Sequence, residues 1–242
     1  MNKRNMEEIE KHQRINDILL GPLERPALQW LAAHMPAWMN PDILTGIGII
    51  GAVLIFISYW LTNTNPNFLW LASLGFVINW FGDSLDGTLA RYRHIERPKY
   101  GFFVDHTVDA ISEVLIFTGV GLSPYMRLEI ALLALVGYLL MSIMIYVRTC
   151  VEGVFKISYG KIGPTEMRVF IILGNTLIYF IGIPIIKLPF LTISLWNALG
   201  AFLAAALMLV FIYSTINDAN QLKEVDRKKR EEKSSDKQLY DE

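Results

Sequence analysis

Four aspartates, Asp83, Asp86, Asp105 and Asp109, stand within the stretch FGDSLDGTLARYRHIERPKYGFFVDHTVDA, at the ends of two otherwise apolar runs. Residues three or four apart share a helix face, so each pair points two carboxylates in one direction. Two such pairs facing each other repel unless cations lie between them. An all-carboxylate, oxygen-rich site of this kind suits hard ions such as Mg²⁺ or Mn²⁺. Gly87 and Ala90 remove bulk beside the first pair, and Gly101 does so ahead of the second. Glycine inside a helix lowers its stability, so close packing or ligand approach is the expected reason for it. Arg91 follows Gly87 by one turn on the same face, with a planar fork matched to phosphate oxygens. Carboxylates, glycines and an arginine in this order point to a metal-bound diphosphate, whose transfer depends on positioning and charge neutralisation.

A charge in hydrocarbon costs several kcal/mol unless it is paired, and the elements carrying these aspartates read as membrane helices. The chain has 242 residues, 53% of them hydrophobic, and a formal net charge of -1. Its apolar residues come in blocks of about twenty, the length that crosses roughly 30 Å of hydrocarbon. Six blocks are expected as spans: 43–61, 68–90, 102–122, 128–147, 169–186 and 193–216. The connections TNTNPN, SPYMR and KLP carry almost no charge, whereas RYRHIERPK, TCVEGVFKISYGKIGPTEMR and the tail KEVDRKKREEK are rich in Lys and Arg. The positive-inside bias places the charged loops and both termini in the cytoplasm.

Ahead of the first block, NDILLGPLERPALQWLAAHMPAWMNPD has leucines and tryptophans at loosely helical spacing, with Pro26 and Pro36 interrupting any long helix. It reads as an amphipathic segment at the membrane interface. The N-terminal MNKRNMEEIEKHQRIND mixes both signs of charge and is not followed by a cleavage site, so it reads as a cytoplasmic segment rather than a signal peptide. The tail beyond Asn217 reads as a charged helical extension that frays into disorder. The organisation expected is residues 1–39 cytoplasmic and interfacial, 40–217 a six-helix transmembrane domain, and 218–242 a charged cytoplasmic tail. The fold class is thus an all-α integral membrane protein. Cys150, the single cysteine, reads as a packing residue.

The array Asp83-x-x-Asp86-Gly87-x-x-Ala90-Arg91, nine residues, then Gly101-x-x-x-Asp105-x-x-x-Asp109 resembles the signature of the CDP-alcohol phosphotransferase family of integral-membrane enzymes. Every fixed position is present, and the gap is one residue longer than the family's commonest. The resemblance implies that Asp83, Asp86, Asp105 and Asp109 bind two divalent cations, Mg²⁺ or Mn²⁺, with Asp109 also the general base. It implies that Asp83, Gly87, Ala90, Arg91 and Gly101 hold the CDP group, with Arg91 on the diphosphate. The reaction implied is transfer of a phosphatidyl group from CDP-diacylglycerol to a small polar alcohol, with release of CMP. A homodimer in the lipid bilayer is implied in the same way.

Asn40, Pro41, Asp42 and Thr45 open the first span, with Asn40 as helix cap and Pro41 in the first turn. The family often carries a similar Pro-Asn-x-x-Thr segment near the nucleotide. Here Asp42 replaces the asparagine, and Thr45 is a candidate CDP contact. Candidate acceptor-binding residues are Arg148, Lys161 and Arg168, with Lys156 nearby; a phosphorylated acceptor would engage two or three of them. In GKIGPTEMR, Thr165 is expected to cap the next helix. His106 faces about 100° away from Asp105 and reads as a neighbour rather than a metal ligand. Glu113, one turn past Asp109, either lines the cavity or bonds a neighbouring helix.

Three other functions compete. The same signature serves transfer of phosphocholine or phosphoethanolamine from its CDP ester to diacylglycerol. A cation transporter would use the aspartates as an ion path, but such sites lie near the bilayer midplane. Prenyltransferase aspartate motifs lack the Gly87-x-x-Ala90-Arg91 continuation.

Overall fold

A computed structural model describes residues 19–152, 163–188 and 191–240. Among them, helices α1 (Gly21–His34), α2 (Pro41–Leu61), α3 (Phe68–Tyr92), α4 (Pro98–Gly121), α5 (Leu128–Glu152) and α6 (Pro164–Ile181) are followed by a hairpin, β1 (Ile185–Leu188) and β2 (Leu191–Ser194), and by the long α7 (Leu195–Tyr240). Lys156 and Lys161 lie outside the described residues.

α3 is the hub: α1, α2 and α6 all pack on it, while α4 packs on α2, α5 on α4 and α7 on α5. The α2–α3 contact is backbone to backbone. A Cβ on Gly82 would fall 2.3 Å from the Gly48 nitrogen, and one on Gly51 would fall 2.5 Å from the Asn79 nitrogen. Only glycine permits that approach, and it sets the second half of α3 tightly against the start of α2. Leu44, Leu85 and Leu89 are fully buried below this seam and pack with Leu28, Ala32 and Met39 of the α1 region.

Asn40 caps α2 as expected, its side chain accepting from the Ile43 amide at 2.9 Å. Pro26, however, does not break α1, which runs through it. It stands early in the helix, where only the bond to the Pro22 carbonyl is lost. One face of α1 is buried on α3, and the other exposes Leu23, Trp30 and Trp38 at 75%, 62% and 68%. Glu24 on α1 accepts from Trp80 Nε1 of α3 at 2.8 Å and from the Thr165 hydroxyl of α6 at 2.6 Å. Thr165 is therefore not the cap of α6. Gly163 takes that position, and Thr165 lies inside the first turn with its hydroxyl turned to α1. Glu166 closes the helix start instead, accepting from the amides of Gly163 at 2.9 Å and Leu20 at 2.7 Å.

Four helical segments are long and apolar enough to cross a membrane: α2, α3, Leu128–Val151 of α5 and Leu195–Lys228 of α7. The other two expected spans, α4 and α6, carry Asp105, Asp109 and Glu113, and Glu166 and Arg168, respectively. These charged groups lower the mean hydropathy of the helices that hold them. The fifth apolar block also ends earlier than its hydropathy predicts. α6 stops at Ile181, and Gly182 takes φ 75°, a conformation glycine reaches without strain. Pro184 lacks a backbone donor, and the β-branched Ile185 and Ile186 then enter an antiparallel pair with Ile185 opposite Ser194. Trp196 Nε1 donates to the Gly182 carbonyl at 2.7 Å and fastens the hairpin to α7. The charged tail is a continuation of α7, helical as far as Tyr240.

Candidate active site

The aspartates converge where the C-terminal half of α3 passes the N-terminal half of α4. Asp83, Asp105 and Asp109 each place a carboxylate oxygen within 4.8 Å of the other two. Asp86, on the same face of α3, lines the same cavity, as do Thr45, Gly48, Asn79, Val108 and Ser112. The cavity encloses about 10 Å³, room for roughly one water-sized sphere. Two carboxylates at 4.8 Å repel by about 3 kcal/mol even at an effective dielectric of about 20. Hard divalent cations fit such a donor set, because oxygen ligands at about 2.0–2.6 Å would replace that repulsion with attraction.

Arg168 of α6 is a protein cation in contact with this group. Its Nη2 lies 2.6 Å from Asp83 Oδ2, and its Nε donates to Asn79 Oδ1 at 3.1 Å. Asn79 in turn donates to the Gly48 carbonyl at 3.0 Å. Thr45 donates to Asp86 Oδ2 at 2.6 Å, with the Pro41 carbonyl farther off at 3.1 Å. The other Asp86 oxygen accepts from the Gly87 amide. Asp86 is thus held by the start of α2, and Asp83 by α6.

Other expected site residues lie toward the helix ends beyond the cavity. Arg91 folds back over Gly87, where a Cβ would meet its Nη1 at 3.3 Å, and Nη2 donates to the Thr88 hydroxyl at 3.2 Å. Ala90 is half-buried; Gly101 is exposed, with open space where a side chain would be. Asp42 pairs with Arg97, whose guanidinium covers the Tyr100 ring at 4.3 Å. Arg148 on α5 is turned to Asp218 of α7, Nη1 to Oδ1 being 3.3 Å. Of the candidate acceptor-binding cations, Arg168 is the one brought to the aspartates, while Lys161 lies outside the described residues. His106 stacks on Phe102 at 4.1 Å and its Nδ1 lies 2.7 Å from the Phe102 carbonyl.

Asn79, Gly48 and Ser112 were not singled out from sequence. Asn79 had a usable signal: it is a polar residue in an apolar block, one turn before Asp83. Ser112 likewise stands three residues past Asp109. Gly48 had none, since its role is the close approach of α3.

The model of the CDP-alcohol phosphatidyltransferase family matches residues 38–216. The chain belongs to this family. It is 28% identical over 200 residues to cholinephosphotransferase 1 of Danio rerio, covering 78% of this chain and 50% of that protein. It is 43% identical over 96 residues to phosphatidylinositol phosphate synthase of Cutibacterium acnes, covering 37% of this chain and 41% of that protein. The chain spans about half the length of the curated relatives it matches. The apo crystal structure of Mycobacterium tuberculosis phosphatidylinositol phosphate synthase shares the fold, with a TM-score of 0.52 at 21% identity, covering 79% of this chain and 93% of that one. With its long apolar helices, this CDP-alcohol phosphatidyltransferase family member is an integral membrane protein.

Proposed function

We propose that this chain transfers a phosphatidyl group from CDP-diacylglycerol to a small polar alcohol in phospholipid biosynthesis. The observation that carries the reading is the mutual 4.8 Å approach of Asp83, Asp105 and Asp109 from two helices, with Asp86 beside them. These four carboxylates would hold two Mg²⁺ or Mn²⁺ ions. When bound, the ions neutralise the diphosphate and the charge that develops on it. Arg91, arched over Gly87, is suited to the diphosphate oxygens; Thr45, Ala90 and Gly101 complete the CDP contacts. Asp109 takes the proton of the acceptor hydroxyl. The hydroxyl oxygen forms the new bond to the lipid-bearing phosphorus, the anhydride bond breaks, and CMP leaves with its electron pair.

The same reading has α4 and α6 crossing the membrane, giving six spans, with the active site and both termini cytoplasmic and α1 at the interface. Residues 40–217 then form the catalytic domain, and the enzyme is a homodimer. The exposed Trp30 and Trp38 on α1 support the interfacial placement.

A second reading has phosphocholine or phosphoethanolamine moving from its CDP ester to diacylglycerol. Similarity to cholinephosphotransferase 1 over 78% of this chain favours it. Purified protein supplied with Mg²⁺ or Mn²⁺ and labelled CDP-diacylglycerol or labelled CDP-choline separates the two. CMP release from the lipid donor with an added alcohol is expected; phosphocholine transfer to diacylglycerol instead would replace the first reading with the second.

A further inference from the structure

Past the aspartate cavity, α4 carries one more acidic residue into the bundle. Glu113 stands one turn beyond Asp109 on the same face, and its Oε2 is buried with no hydrogen-bond partner among the described residues. α5 covers this stretch of α4: Tyr146 meets His106 edge-on at 5.1 Å, and Tyr138 meets Phe117 at 6.1 Å, between ring centroids. The two contacts bracket the segment holding Asp109 and Glu113.

Arg168 reaches the same place from α6. Its Nε and Nη2 are taken by Asn79 and Asp83, while Nη1 is buried with no partner among the described residues. The charges of Glu113 and Arg168 both act on Asp109, and all three act on Tyr138, so groups from α4, α5 and α6 converge here. Buried charged groups with an unmade hydrogen bond are rare, and leaving the bond unmade is costly. These two are opposite in sign, so one simple ion cannot satisfy both.

The geometry points to a zwitterionic acceptor, a hydroxy amino acid whose ammonium is taken by Glu113, whose carboxylate is taken by Arg168 Nη1 and whose hydroxyl faces Asp109. Residues one turn apart have Cβ atoms about 5–6 Å from each other, a spacing that suits a hydroxyl and an ammonium on adjacent carbons. An amino alcohol without a carboxylate leaves Nη1 unmatched, and a plain polyol brings no charge to either group. A phosphorylated alcohol sets a dianion beside Asp109 and Glu113, while Arg148 is turned to Asp218. Glu113 and Arg168 are then binding groups that fix specificity. The inference rests on the phosphatidyl-transfer reading: the amino acid's hydroxyl oxygen forms the bond to phosphorus, its proton goes to Asp109 and CMP departs.

Two measurements on the purified full chain test this. Saturation-transfer NMR with L-serine reads acceptor binding without turnover. CMP release from CDP-diacylglycerol is followed with L-serine, ethanolamine, glycerol 3-phosphate and inositol 1-phosphate. Serine is expected to bind saturably and to support CMP release. Glu113→Gln, checked for an unchanged melting temperature, should raise the KM for serine by about tenfold or more with kcat within about threefold. Absence of saturable serine binding, or unchanged binding in Glu113→Gln, overturns the zwitterion site. CMP release with a phosphorylated alcohol and none with serine also overturns it, and leaves the transfer reading standing. Glu113-dependent serine binding with no CMP from any acceptor keeps the site and overturns the transfer reading.

Discussion

Arg168 and Asp83 form an ion pair across 85 residues of chain, Nη2 to Oδ2 at 2.6 Å, with both side chains mostly buried. Asp83 is thereby oriented from α6 and one of the clustered negative charges is balanced. Asn79 holds the guanidinium from the side. The pair makes α6 part of the catalytic architecture.

Replacing Arg168 should therefore lower activity in a graded way. Lysine keeps the charge and loses the fork, so Arg168→Lys should lower kcat/KM by about tenfold, and Arg168→Gln by about a hundredfold or more. Steady-state CMP release checks the order. Equal activity in both variants would show that the ion pair does not position Asp83.

The glycine seam makes a stability prediction. Gly82→Ala puts a methyl 2.3 Å from the Gly48 nitrogen. Backbone must shift to admit it, so a loss of about 1–3 kcal/mol is expected. Gly46→Ala meets nothing within 4 Å and should be neutral or gain up to about 1 kcal/mol from helix propensity. Thermal melts in detergent distinguish the two.

Thr45 tests the hold on Asp86. Thr45→Val removes a hydroxyl that donates to a carboxylate at 2.6 Å, a contact worth about 1.5–3 kcal/mol. Thr45→Ser keeps it. Mn²⁺ affinity by electron paramagnetic resonance should shift in Thr45→Val and stay near wild type in Thr45→Ser.

Glu24 joins α1 to both α3 and α6 through Trp80 and Thr165. Glu24→Ala leaves two donors without an acceptor and should loosen α1, seen as faster limited proteolysis between α1 and α2. An unchanged cleavage rate would show that α1 is held by its apolar face alone.

The aspartate pairs were legible because helical spacing is local: Asp83 with Asp86, and Asp105 with Asp109, share faces whatever the rest of the chain does. The cap at Asn40 was legible for the same reason. The Arg168–Asp83 pair was not, because nothing local to either residue records which helix lies opposite. Arg148 and Arg168 looked alike in sequence, each bordering a span, and separate only when α7 presents Asp218 to one of them. The hairpin after α6 was hidden because isoleucine serves a membrane helix and a β-strand equally well by hydropathy, and only Gly182 and Pro184 marked the break. α4 and α6 show the reverse: the charges that make them functional reduce the very hydropathy by which spans are recognised.

The central claim is that the aspartate cluster is a metal-dependent phosphatidyl-transfer centre with Asp109 as its base. CMP release from CDP-diacylglycerol by Asp109→Asn, measured alongside Mn²⁺ binding to the same protein, tests it most directly. The account predicts a loss of about a hundredfold or more in CMP release, with the variant still folded and Mn²⁺ still bound at Asp83, Asp86 and Asp105. Turnover near the wild-type rate in Asp109→Asn would contradict it.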